Sequence, residues 1–201
     1  MLSPNYRATL TGASFLFLEF KQVLSLQTEG LSDSEIKKKV LTENLFQYKV
    51  KESLKRSLPS IFRRSHVLDD DLKMLVLQES VETGRMINLY ALMKTDQLFF
   101  DFMNEVIREK FEQNDYFLDK KDINLYFSSK IEQGTAIAEW KEQTVKKVKQ
   151  VILRILAEAG IIKNKKTGEL QRIFMEDRLK RHLISLGDGD FVKAMGEWIN
   201  E

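Results

Sequence analysis

Between residues 145 and 159 the apolar side chains Val145, Val148, Ile152, Ile155, Leu156 and Ala159 recur at helical spacing. That pattern commits the segment from about Glu142 to Ala159 to an amphipathic helix with one buried stripe. Lys146, Lys147, Lys149, Gln150 and Arg154 lie off the stripe. Gly160 follows as a natural left-handed stop. Two short runs, Ile161-Ile162 and Leu170–Phe174, then flank NKKTG and predict a β-hairpin with Lys163, Lys165 and Lys166 near its tip. Upstream, Asp119 or Asp122 caps a helix carrying Ile123, Tyr126, Phe127 and Ile131. Gly134 ends it, and TAIAEW makes a second short helix. Three helices and a basic hairpin is winged-helix order.

The other half of the chain is also helical in pattern. Residues 13–28 read as a well-buried helix stopped by Gly30. Ser32 caps the next, with Asp33 and Glu35 in its first turn and Ile36, Val40 and Leu41 inward. After a short connection, Val50, Leu54, Leu58, Ile61 and Phe62 keep helical spacing through a basic segment, which gives a helix-turn-helix outline. Pro59 either kinks that segment or stands near the start of a fresh turn capped by Ser57. Asp69-Asp70-Asp71 opens a long Leu-, Met- and Phe-rich helical region to about Gln113, with breaks expected near Thr83-Gly84 and Thr95-Asp96. Two short helices divided by Gly187-Asp188-Gly189 close the chain. The expected fold is all-α with one small β-hairpin. It divides into an N-terminal helix-turn-helix-like part (1–68), a helical connector (69–118) and a winged-helix-like C-terminal module with terminal helices (119–201).

Composition narrows the setting. The 201 residues include no cysteine, so disulfides, thiolate metal sites and thiol nucleophiles are excluded. Two prolines and nine glycines argue against long linkers. No apolar run approaches the roughly 18 residues of a membrane span, and the first residues lack a signal-peptide pattern. A cytoplasmic protein is expected.

The net charge of +2 hides an uneven distribution. Residues 37–64 carry nine Lys/Arg against two Glu, and residues 141–166 carry eight against two, so the rest of the chain is acidic. Each island falls on the basic helix of one of the two outlines, and the second continues onto the hairpin. A lysine-bearing helix face often serves only as a solvated surface; the coincidence with both outlines favours duplex DNA. The candidate contacts are Lys49, Lys51, Lys55, Arg56, Arg63 and Arg64 in the first island. In the second they are Lys146, Lys147, Lys149, Gln150, Arg154, Lys163, Lys165 and Lys166. Lysine needs only proximity to a phosphate, whereas base discrimination uses directed donors such as Gln150 and Arg154. Strong, salt-sensitive binding with weak sequence preference is expected. The rival reading is an adaptor whose basic islands dock acidic partner subunits. An RNA reading is weaker, because neither island interleaves aromatics for base stacking.

Catalytic patterns are missing. There is no phosphate-binding glycine loop of the P-loop or dinucleotide type. His66 and His182 stand in no metal-ligand spacing, GDGD at 187–190 lacks the rest of a calcium loop, and Asp69–Asp71 is explained by a helix N-terminus. No catalytic residue, metal, cofactor or small-molecule substrate is expected, and the chain is read as a non-enzyme.

Tyr6, Ala8, Thr11-Gly12, Glu19, NLFQ at 44–47, Trp140, Thr144 and VILRILAEAGII at 151–162 together make nearly the whole chain resemble the BrxA family. These are small proteins of BREX bacteriophage-defence systems. The resemblance implies a helical fold with a small hairpin and non-enzymatic binding of double-stranded DNA. It also implies a setting beside a DNA methyltransferase, an alkaline-phosphatase-like protein and ATPases, other BREX subunits being further partners. Lys141 departs from the family pattern, standing where a Ser cap is expected, and so does Pro59.

Overall fold

Ser32 accepts a hydrogen bond from the Glu35 backbone and the Glu35 carboxylate accepts one from the Ser32 backbone, a reciprocal cap that starts a helix where the sequence predicts one. In the computed structural model, which describes residues 6–12 and 14–199, the chain is helical apart from one two-stranded antiparallel hairpin. It packs as two compact units. One is Phe15–Thr95; the other runs from Asp96 onward and is joined by the segment up to Ser14. Among the described residues no helix is long and apolar enough to cross a membrane.

The Phe15–Thr95 unit holds five helices: α1 (Phe17–Thr28), α2 (Asp33–Glu43), α3 (Lys51–His66), α4 (Asp70–Gln78) and α5 (Val81–Thr95). The first helix begins at Phe17, later than expected, because Leu16 takes a left-handed conformation; residue 13 lies outside the described residues. Between α2 and α3 the Asn44 side chain bonds both the Tyr48 N–H and its carbonyl, and the Tyr48 hydroxyl donates to Glu19 at 2.7 Å. This connection seats α3 so that Leu54, Leu58 and Ile61 are buried. Pro59 neither ends nor restarts that helix, which runs unbroken through it. Lacking an N–H, Pro59 leaves the Lys55 carbonyl without its helical donor. Both residues are exposed, so water can take that place.

The helix break expected near Thr83-Gly84 falls instead at Glu79-Ser80, where the Ser80 hydroxyl accepts from the Thr83 backbone. Gly84 lies inside α5. A Cβ there would stand 2.9 Å from Phe17, so the glycine permits close packing rather than a turn. Nearly every residue of α5 from Thr83 to Met93 is buried, as befits a helix at the centre of its unit.

The second unit begins with a continuous helical run, α6 (Gln97–Phe102), a π-helical turn (Met103–Ile107) and α7 (Arg108–Glu112). Then come α8 (Lys120–Glu132), a 3-10 turn (Ala136–Glu139), α9 (Glu142–Glu158), β1 (Ile162–Asn164), β2 (Glu169–Leu170), α10 (Asp177–Ser185) and α11 (Gly189–Ala194). The N-terminal segment is tied in by two short hydrogen bonds, Tyr6 to Asp101 and Thr9 to Asp96, both 2.5 Å. Its 3-10 turn, Thr9–Gly12, packs on α9. Lys130 is only 5% exposed; it pairs with Glu105 at 2.6 Å and lies 5.2 Å from the Tyr126 ring centre. Its charge is therefore buried with a partner and an aromatic face.

Candidate nucleic-acid interface

Helix α9 buries Val148, Val151, Ile152, Ile155 and Leu156. Val145 is half-buried, and Val151, which the stripe read from the sequence omits, belongs to it. Lys141 stands at the N-cap with extended backbone and no side-chain bond; its carbonyl accepts from Thr144 at 2.8 Å. The helix therefore starts without a Ser cap. On its outer face Lys146, Lys147, Gln150 and Arg154 are exposed. Lys149 is turned aside. It donates to Asn124 of α8 at 2.8 Å, lies 5.1 Å from the Phe127 ring centre, and is held by burial below the ordinary lysine pKa.

Strands β1 and β2 pair Ile162 with Leu170 and Asn164 with Glu169, with an irregularity between them that leaves a turn at Lys165–Gly168. Lys165 and Lys166 are exposed in that turn, while Lys163 pairs with Glu169 at 2.8 Å. The residues before α8 fix the hairpin in place. Leu118 donates to the Gly168 carbonyl at 2.9 Å, Leu170 donates to Tyr116 at 2.8 Å, and Phe117 bridges to Glu169. Gly168 has φ +75°, and a Cβ there would run into the Leu118 carbonyl. Only glycine fits both constraints.

This anchoring creates an open cleft of about 680 Å³ between the start of α8, the outer face of α9 and the hairpin turn. It brings together Gln150, Arg154, Lys165 and Lys166 from the predicted set. It also adds Lys120 and Lys121, which are absent from the set expected from sequence. The available signal was the Asp119–Asp122 capping box, which places both lysines in the first turn of α8.

The other unit carries its own basic surface on α3 and the residues just before it. Lys49, Lys51, Lys55, Arg56 and Arg63 are exposed there, Lys55 being paired with Glu52 at 2.9 Å and Arg63 donating to Ser60 at 2.8 Å. Lys55, Pro59 and Arg63 follow one another at four-residue steps along one face. Arg64 is a correction to the expected set. It is 2% exposed and its guanidinium donates to the Phe15 carbonyl at 2.7 Å, so it holds the unit together and cannot reach a phosphate. Of the other acidic and histidine features, Asp69 caps α4 by accepting from Leu72 at 2.8 Å. His66 pairs with Asp33 at 2.9 Å, and Asp188 lies at the start of α11.

Fold and site define a class: a mostly helical protein that presents an amphipathic basic helix followed by a basic hairpin. The chain belongs to the BrxA family, whose profile matches residues 4–187. It is 39% identical over 191 residues to the BREX protein BrxA of Bacillus cereus (strain H3081.97), covering 94% of this chain and 96% of that one. The BREX protein BrxA of Paramagnetospirillum magneticum is 24% identical over 91% of this chain and 92% of its own length. A crystal structure of an uncharacterized protein from Magnetospirillum magneticum has the same fold, with a TM-score of 0.81 at 22% identity over 96% of this chain and 98% of that one.

Proposed function

We propose that this BrxA-family chain is a non-catalytic, duplex-DNA-binding component of a BREX phage-defence system, working beside the other subunits of that system. In this reading α8, the 3-10 turn, α9 and the hairpin act as a winged-helix-like module, and α2 with α3 acts as a helix-turn-helix-like element. The observation that carries it is the joint exposure of Lys146, Lys147, Gln150 and Arg154 on α9 with Lys165 and Lys166 on the adjoining turn. A helix and hairpin charged in this way suit a groove and its flanking phosphates. Lys49, Lys51, Lys55, Arg56 and Arg63 supply further phosphate contacts, and Lys149 and Lys163 contribute charge while held by Asn124 and Glu169.

The test is a mobility-shift titration with duplex DNA, single strands and RNA at two salt concentrations. Duplex should bind most tightly. Its affinity should fall by roughly 0.9 log unit per log of salt for each phosphate neutralised. A flat salt response, or equal affinity for all three nucleic acids, overturns the reading.

A further inference from the structure

The cleft between α8, α9 and the hairpin carries two chemistries, and a DNA backbone uses only one of them. Its rim holds Lys120, Lys121, Arg154, Lys165 and Lys166, all exposed. The one carboxylate in its lining is Asp119, the N-cap residue of α8, whose backbone N–H donates to Asp122, so lysine and arginine outnumber acid there five to one. Its floor is the half-buried Leu153, backed by the buried Leu118, Ile123 and Ile162. Phosphates satisfy the rim and leave Leu153 wet. An occupant that satisfies both is acidic and carries apolar side chains.

The two lysines of α8 sharpen the point. They sit in the first turn of a 13-residue helix, where the helix dipole disfavours positive charge. Among the described residues neither enters an ion pair. They add two positive charges to the cleft. The floor is also preformed. The Leu118–Gly168 and Leu170–Tyr116 hydrogen bonds hold its walls together, so an incoming ligand orders little protein on binding. The volume, about 680 Å³, falls within the roughly 300–1,000 Å³ range of ligand pockets.

We propose that this cleft is a docking site for an acidic, amphipathic segment of a partner protein. The segment seats apolar side chains on Leu153 and its neighbours and sets its carboxylates against the lysine rim. Gln150, Arg154, Lys165 and Lys166 also belong to the proposed DNA surface, so the docked segment and the duplex exclude one another. That last statement rests on the DNA-binding reading; the docking itself does not.

Fluorescence polarisation on the full chain tests it, using a labelled panel of acidic peptides with paired Leu, Phe or Trp anchors at i and i+4. Each is matched to a twin with Ser at the anchors. At least one anchored peptide should bind about tenfold or more tightly than its twin, the change expected from roughly 1.4 kcal/mol, and should compete with labelled duplex. Leu153→Ser should abolish the preference for anchors and leave duplex affinity unchanged. K120E/K121E, which suits the dipole of α8, should weaken the anchored peptide about tenfold or more, so the test stands even if Leu153→Ser unfolds. Equal binding of anchored peptide and Ser twin across the panel, or failure of a folded Leu153→Ser to change the preference, overturns the docking site. Peptide binding without competition overturns the mutual exclusion. A protein that shifts no duplex at low salt loses the DNA reading, while the peptide comparison still decides the cleft.

Discussion

The carbonyl of Phe15 accepts two buried hydrogen bonds of 2.7 Å, one from the Arg64 guanidinium and one from the Asn88 side chain. The residue before Arg64 in the chain, Arg63, is exposed and donates to Ser60, three residues back. Two adjacent arginines thus serve opposite purposes. Arg64→Ala should destabilise the protein by about 2–4 kcal/mol, since a charge-assisted bond is lost and a buried acceptor is left short. Lysine should not rescue it, because an ammonium cannot reproduce the guanidinium geometry. Arg63→Ala should change stability by no more than about 0.5 kcal/mol and weaken duplex binding. Urea denaturation and a mobility shift on the same variants check both statements.

On α9 and the hairpin, affinity and discrimination should separate. Lys147→Ala or Lys166→Ala should weaken all duplex sequences alike and lower the salt slope by about one unit. Arg154→Ala should instead change the ranking of sequences, by about 1–3 kcal/mol at any base it reads. Competition on a randomised duplex pool measures both. Lys149→Ala should act mainly on stability, through its contacts with Asn124 and Phe127.

Gly168→Ala should loosen the hairpin. The added carbon meets the Leu118 carbonyl and the backbone at φ +75° disfavours any side chain. A loss of about 1–3 kcal/mol is expected, with faster amide exchange at Leu118 and Leu170, whose N–H groups hold the hairpin to the segment before α8. Hydrogen-exchange measurements on the variant test this directly.

Lys110 bonds Asp115 at 2.7 Å and Asp122 at 2.9 Å, tying the end of α7 to the start of α8. The Lys110 bond holds the Asp115 carboxyl below its ordinary value of 3.8. A carboxyl depressed on folding contributes stability above its unfolded value, and that contribution is lost as pH falls through the folded one. Acid unfolding should therefore include a component below pH 3.8 that Asp115→Asn removes. Burial pushes Lys110 down, but its two carboxylate partners outweigh that and raise it, so the same contacts should persist through ordinary alkaline pH. Chemical denaturation from pH 2 to 5, on wild type and variant, reads out the difference.

What the sequence made legible was local. The stripe of α9, the Ser32 and Asp69 caps, the stop at Gly30 and the hairpin around NKKTG each depend on residues within a turn or two. What it hid depended on distant partners. Arg64 reads as part of a basic face because its acceptor lies 49 residues away. Gly84 reads as a helix breaker because Phe17, against which it packs, is far off in the chain. The cleft is assembled from the start of α8, the middle of α9 and a β-turn, so no single window of sequence contains it. Lys120 and Lys121 were missed for that reason.

The tether from Tyr6 to Asp101 spans 95 residues of chain, and the whole Phe15–Thr95 unit is inserted between its ends. At about 5–20 residues per second of synthesis, the tyrosine leaves the ribosome some 5–20 s before its acceptor. The inserted unit, with its α3 surface, is synthesised during that delay, its last residue, Thr95, preceding Asp101 by six residues. The N-terminal segment must wait in solvent until α6 arrives, and its packing on α9 waits longer still. The two basic faces are thus completed in sequence during translation, the α3 face first.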